Sequence, residues 1–332
     1  MTIAWMTFTE NGFRFAQHVA SVVGGSVARC GAELSLRDWT AQQFFTADAL
    51  IFVGAAGIAV RAIAPHVVSK TTDPAVLVMD ECGNYVIPIL SGHLGGANDL
   101  AQAIHAACGA QPVLTTATDV RGVFAVDEWA KRQNCAVVNP KQIKRVSAAV
   151  LRGESIPVYS HWKIAGAYPA CISLVDDPTQ AMVCLSAKRE SADALLLAPR
   201  VLTLGIGCRK GISCAALETG FVEFCEQTGV LEQAICGVAT ITLKQNETGL
   251  QEFCTAHGWP LHTVFADALA QTDGTFTASP FVQTVTGVDN VCERSAVFVS
   301  GGSLMQTKWI SHGATFALAC APYHPDWRWK HE

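Results

Sequence analysis

Short apolar runs alternate with amphipathic segments along the N-terminal part of the chain, and glycine marks most of the changeovers. Residues 3–8 predict a strand, and residues 12–23 a helix closed by Gly24 and Gly25. Residues 49–53 are continuously apolar, as expected of a strand buried on both faces. They empty into Gly54-Ala-Ala-Gly57, followed by a helix through Val60, Arg61 and Ile63 that Pro65 limits. Residues 75–79 predict the next strand, residues 80–84 its turn, and residues 85–90 a further strand. Ser91-Gly-His-Leu-Gly-Gly-Ala-Asn98 comes next, after which Leu100, Ile104 and Cys108 share one helical face. Residues 112–116 form a last strand signal that runs on to Asp119. Strands alternating with helices predict an α/β domain with a parallel-rich sheet.

Beyond residue 130 the pattern weakens. Short strand candidates at 156–159, 182–185 and 195–197 are separated by polar stretches, which predicts a small mixed middle segment. A second clear α/β unit opens with a strand at 201–204 that enters Gly205-Ile-Gly-Cys-Arg-Lys-Gly211. It continues through a helix near 213–226, a strand near 237–243, a helix at 248–257 and a closing strand at 314–320. The expected organisation is therefore an N-terminal α/β domain (1–130), a middle segment (131–199) and a separate C-terminal α/β domain (200–332). The tail from residue 323 is expected to be a surface extension.

Charge and composition narrow the function classes. A net charge of -5 argues against a nucleic-acid partner, whose usual signature is clustered basic residues. The longest apolar candidate, residues 49–60, stops at Arg61, short of the ~20 residues that cross a bilayer. No basic flank precedes an apolar segment at the N-terminus, so a cytoplasmic protein without membrane partners is expected. The 13 cysteines are odd in number and irregular in spacing, with no C-x-x-C, so a structural zinc is not expected.

The chemistry-bearing stretches share one design: apolar strand, glycine turn, helix N-terminus. Helix N-termini offer unpaired N–H groups and a positive dipole end suited to an anion. Neither the Gly54–Gly57 turn nor Gly205–Gly211 is a Walker A loop or a complete G-x-G-x-x-G, which leaves a carboxylate or phosphate cradle as the reading. Arg61 and Arg209 stand beside these turns, where a guanidinium can fork onto a carboxylate. His93 is the side chain of the Ser91–Asn98 stretch that exchanges a proton near neutral pH. Ser91 follows a strand but lacks the G-x-S-x-G elbow. Cys208, placed near a helix start beside Arg209 and Lys210, is a candidate for a lowered thiol pKa. Asp73, Asp80 and Asp119 lie at strand or turn ends, as turn residues or as partners for a histidine or a water.

Five stretches carry a specific resemblance: 52–65, 70–76, 90–98, 111–119 and 204–211. Leu90-Ser-Gly-His-Leu-Gly-Gly-Ala-Asn98 is the most specific of them. Together they resemble the cobalt-precorrin-5A hydrolase family of anaerobic cobalamin biosynthesis, from about residue 48 to residue 320. Two positions depart from the family pattern: Thr242 stands where Asp is usual, and Arg294 where Pro is usual. The resemblance implies opening of the ring-A acetate δ-lactone of cobalt-precorrin-5A by water, with loss of the bridging two-carbon unit as acetaldehyde. It implies no separate cofactor, because cobalt arrives inside the tetrapyrrole substrate. The catalytic residues expected are His93 as acid/base, Asp119 orienting it, and Ser91. Substrate contacts are expected from Gly54, Gly57, Arg61, Asp73, Gly92, Gly95, Gly96, Asn98, Thr115, Thr116, Gly205, Gly207, Cys208 and Arg209. A homodimer and transient contact with neighbouring pathway enzymes are further expectations. Two alternatives stay open at this point: a non-catalytic tetrapyrrole carrier, and a nucleotide-binding α/β protein.

Overall fold

The computed structural model describes residues 1–69, 72–92, 95–115, 121–190 and 193–329. The chain forms two compact units, Met1–Glu128 and Trp129–Glu332. The first contains β1 (Ile3–Thr7), α1 (Glu10–Val23), β2 (Ser26–Arg29), α2 (Leu36–Thr46), β3 (Ala49–Val53) and α3 (Ala56–Ile63). It continues with β4 (Ala75–Met79), β5 (Tyr85–Leu90), α4 (Ala97–Cys108) and β6 (Gln111–Pro112). Helix α5 (Val126–Arg132) runs across the division.

The strands of the first unit form one six-stranded sheet, in the order β2-β1-β3-β4-β5-β6. The central strands β1, β3 and β4 are buried at every position, which explains their unbroken apolar runs. Alternate residues serve opposite faces. Ile51, Leu77 and Trp5 meet Val19 of α1 and Leu100 and Ile104 of α4. Leu50, Phe52 and Val78 meet Trp39 and Phe44 of α2 and Ala59 and Ile63 of α3. In this sheet layer β2 and α2 are not expected from the sequence pattern. Strand β2 lies at the sheet edge, half-exposed, and so lacks an apolar run.

The second unit holds two five-stranded sheets among the described residues. The first, ordered β7-β11-β10-β8-β9, uses β7 (Cys135–Val137), β8 (Ile156–Ser160), β9 (Ile172–Leu174), β10 (Val183–Leu185) and β11 (Leu195–Pro199). Helix α6 (Ile143–Leu151) precedes β8. The second sheet begins with β12 (Leu202–Cys208), α7 (Cys214–Thr228), β13 (Ile235–Ile241), α8 (Thr248–His257) and β14 (Leu261–Val264). Helices α9 (Ala266–Ala270), α10 (Pro280–Thr286) and α11 (Cys292–Ser300) lead to the hairpin β15 (Ser303–Ser311) and β16 (Ala314–Cys320). Its order is β14-β13-β12-β16-β15, with β12, β13 and β14 parallel and β16 antiparallel to β12.

The middle segment lies within the second compact unit. Ala136, Val138 and Trp162 from its side pack on the same apolar cluster as Leu202, Phe221 and Phe316. The tail also departs from expectation. Trp327 is 4% exposed and stacks on Trp129 with ring centroids 5.0 Å apart, and the Tyr323 hydroxyl donates to the Gln133 carbonyl at 2.7 Å. Among the described residues no helix is long and apolar enough to cross a membrane.

Candidate functional site

The five residues between β4 and β5 decide where the glycine turns go. So short a link cannot make a parallel crossover, and the two strands pair antiparallel. The Asp80 carboxylate staples the link, accepting from Cys82 N (3.0 Å), Asn84 Nδ2 (3.0 Å) and Tyr85 N (2.7 Å). Partial burial alone would raise this carboxyl, but the hydrogen bonds from Tyr85, Asn84 and Cys82 outweigh it and hold it below the usual range. Strand β5 then pairs parallel with β6, while β1, β3 and β4 run parallel to one another in the opposite sense.

The first sheet therefore has carboxyl ends of parallel strands along both of its strand-end edges, the two rims where strands start and stop. Gly54 follows β3 at one edge and donates to the Met79 carbonyl at 2.8 Å. Ser91 follows β5 at the other, because Leu90 pairs with Val76 at the start of β4. The length of β4, roughly 13 Å at about 3.3 Å per residue, separates the two turns. Each turn follows a strand, as expected, but the sheet sets the two at opposite ends of its strands.

At the second edge the turn is tightly built. Ser91 is buried and has a left-handed backbone, with φ of 53°. Its hydroxyl donates to the Asp73 carbonyl at 3.0 Å. The Asp73 carboxylate, also buried, accepts from Val68 N (3.0 Å) and Ser69 N (3.0 Å). Asp73 thus holds the chain on both sides of itself, and its carboxylate faces backbone donors. Ser91 thereby anchors the turn, with its hydroxyl directed at a carbonyl.

The glycines of this turn serve packing. A Cβ on Gly95 would lie 2.4 Å from Ser91 Cβ and 2.8 Å from Ser91 O. Gly96, at φ 86°, heads α4. The first helical N–H groups do not point outward as expected: Ala97 N donates to Ser91 O (3.2 Å) and Asn98 N to Gly92 O (2.9 Å). Asn98 is buried and Thr115 exposed. His93, Thr116 and Asp119 lie outside the described residues.

At the first edge, Gly54 lies beneath the Phe8 ring, which a Cβ would meet at 2.6 Å. Gly57 opens α3, and Arg61, on the exposed side, donates to the Gly57 carbonyl at 3.2 Å.

In the second unit the expected turn at Gly205 is displaced. Strand β12 continues to Cys208, so Gly205 and Gly207 are strand residues. They let other elements approach: a Cβ on Gly205 would lie 1.8 Å from the Cys292 carbonyl oxygen of α11, and one on Gly207 2.6 Å from Thr315 Oγ1. The turn proper is Arg209–Gly211, and the chain's own Glu247 fills it, accepting from Gly211 N at 2.8 Å while pairing with Lys244 at 3.5 Å. Nothing in the sequence marks Glu247, which lies 36 residues away from its partner. Arg209 is exposed, and its backbone N–H donates to Gly313 O. Cys208 ends a strand, not a helix start, and burial pushes its thiol up to about 11. The expected lowered pKa is therefore reversed.

Residues 38–119 match the family model described as Cobalamin synthesis G N-terminal, residues 124–199 that of the Cobalamin biosynthesis central region, and residues 202–319 the Cobalamin synthesis G C-terminus. A cobalt-precorrin-5A hydrolase of Salmonella typhimurium is 33% identical over 297 residues, covering 85% of this chain and 85% of the relative. The chain belongs to the cobalt-precorrin-5A hydrolase family. Another relative of that name, from Priestia megaterium, is 33% identical over 295 residues, covering 82% of this chain and 79% of its own. A solved cobalamin biosynthesis protein G homolog from Sulfolobus solfataricus is 22% identical, with 97% of each chain covered and a TM-score of 0.41.

The two positions that depart from the family pattern both have visible surroundings. Arg294 bonds Asp289 (2.8 Å) and the carbonyls of Leu269 (3.1 Å) and Thr272 (3.2 Å), and lies over the Phe276 ring. It ties the end of α9 and the loops on either side of α10 to α11. Its neighbour Glu293, fully buried, accepts from Thr277 N, Thr277 Oγ1, Asn290 Nδ2 and Lys308 N. Thr242 leaves β13 at the same sheet edge as Cys208, with its hydroxyl oxygen buried and lacking a hydrogen-bond partner.

Proposed function

We propose that this protein is a cobalt-precorrin-5A hydrolase. It opens the ring-A acetate δ-lactone of cobalt-precorrin-5A with water, releases acetaldehyde and gives cobalt-precorrin-5B in anaerobic cobalamin biosynthesis. The observation that carries this reading is the 33% identity to a relative of that name over 85% of the chain, with all three family segments in order.

In this reading His93 takes a proton from water as the water oxygen adds to the lactone carbonyl. It returns a proton to the leaving oxygen as the ring C–O bond breaks, and Asp119 orients the imidazole. Carbon–carbon cleavage then frees the two-carbon unit as acetaldehyde: the freed hydroxyl gives up its proton and becomes the aldehyde carbonyl, the C–C bonding electrons stay with the macrocycle, and a proton takes the vacated position. Ser91 and Asp73 support the turn that carries His93 in sequence. Cobalt belongs to the substrate, no dissociable cofactor takes part, and the enzyme works in the cytoplasm.

The test is anaerobic mixing of purified protein with cobalt-precorrin-5A. The expected result is one acetaldehyde per lactone opened, without added metal or nucleotide. A strict requirement for ATP or NAD would sink the reading, and an absorbance shift without acetaldehyde would favour a carrier.

A further inference from the structure

The solvent side of α3 is an exposed surface that the packing of the first unit does not use. A surface helix ordinarily turns polar and charged residues outward. Helix α3 buries Ala59 and Ile63 against the sheet, yet its exposed positions are Ala56, Gly57, Val60 and Arg61, followed by Ala64. Arg61 alone among them carries charge. The apolar surface continues past the helix into Val67 and Val68, the latter 80% exposed. Phe45, at the end of α2 and 69% exposed, meets this segment edge-on through His66, with ring centroids 5.8 Å apart. Contiguous exposed apolar surface of this kind marks a binding face.

The strip also joins the two sheet edges. Helix α3 starts two residues after Gly54 and is about 12 Å long at 1.5 Å per residue. At its far end Val68 N donates to the Asp73 carboxylate, and the Asp73 carbonyl holds Ser91.

We infer that Val60, Arg61, Ala64, Val67, Val68 and Phe45 form the platform on which the flat apolar face of the tetrapyrrole rests, with Arg61 meeting a carboxylate on its rim. The identity of the ligand rests on the hydrolase reading. Two observations favour this occupant over a protein partner. A single exposed guanidinium within an apolar strip, held by one hydrogen bond to Gly57 O, complements a ring that is apolar across its face and acidic at its edge. The strip also ends at Val68, whose backbone the Asp73 carboxylate holds, and the same Asp73 anchors the turn that precedes His93 in sequence.

The test is an anaerobic absorbance titration with cobalt-precorrin-5A of wild type, Val60→Asp, Val68→Asp and, as a control on α1, Val22→Asp. Acetaldehyde release and sedimentation are measured on the same samples. Each strip variant should raise Kd about tenfold or more, equivalent to about 1.4 kcal/mol, with unchanged sedimentation, while Val22→Asp binds like wild type. Val60→Ser and Val68→Ser replace any Asp variant that fails to fold and should weaken binding in the same direction. Strip variants that bind within twofold of wild type, or that lose affinity only as a dimer dissociates, overturn the platform. Normal acetaldehyde release by wild type and by every variant leaves the hydrolase reading standing and removes the platform. Binding lost in the strip variants, with no acetaldehyde from wild type, does the reverse.

Discussion

The hydroxyl of Ser91 donates to the backbone carbonyl of Asp73 across 18 residues, and this bond ties the end of β5 to the start of β4. It gives the serine a structural job at the turn. Ser91→Ala should destabilise the protein by about 1–3 kcal/mol in denaturant unfolding, since a buried carbonyl loses its donor. Turnover should fall but stay well above background, with no covalent adduct in quenched mass spectra. Unchanged stability together with abolished turnover would return Ser91 to the chemistry.

Gly205 supplies a second check. If its lack of a side chain serves the approach of α11 and not an anion, Gly205→Ala should destabilise the second unit with or without substrate. Overpacking of this kind typically costs about 1–3 kcal/mol, and the contact with Cys292 O at 1.8 Å puts it at the upper end. A variant of wild-type stability with weakened binding would restore the cradle.

How much of this was legible in the sequence depends on the range of the interaction. The central strands β1, β3 and β4 and the face of α4 follow from local pattern, because burial on both sides writes itself as an apolar run. The reversal of β5 could have been read as well, since a five-residue link after β4 permits a hairpin and not a crossover, but the expected sheet kept the Ser91 turn at a parallel strand end. What local pattern could not separate is a glycine in a turn from a glycine in a strand. Gly205 and Gly207 answer to Cys292 and Thr315, about a hundred residues away, and Glu247 reaches Gly211 in the same long-range manner. The tail misled for a related reason. Trp327 sits among charged neighbours, yet it stacks on Trp129.

Burial raises several thiols, which fixes the sign of an alkaline effect. From an ordinary value of 9.0, burial pushes Cys208, Cys254 and Cys292 each up to about 11. The folded state therefore keeps protons that the unfolded chain releases. That stabilisation is complete below pH 9 and is lost as pH rises through about 11. Denaturant midpoints should hold steady to about pH 8 and then fall. Alkylation at pH 8 should label exposed Cys82 long before Cys208. Early labelling of Cys208 would mean a reactive thiol at the edge of β12.

His93→Asn keeps a donor and an acceptor but removes the titrating ring. With His93 as acid/base, kcat should drop by about 10²–10⁴ at near-normal KM, and the imidazole limb of the pH–rate profile should disappear. A loss confined to KM would make His93 a substrate contact and move the base elsewhere.

The most direct measurement is a single turnover with cobalt-precorrin-5A in water enriched in heavy oxygen, with the tetrapyrrole product and acetaldehyde quantified together. Lactone opening by water predicts one heavy oxygen in the newly freed acetate carboxylate and one acetaldehyde for each molecule converted, without nucleotide. Substrate that binds and is recovered unlabelled, with no acetaldehyde formed, would contradict the hydrolase assignment.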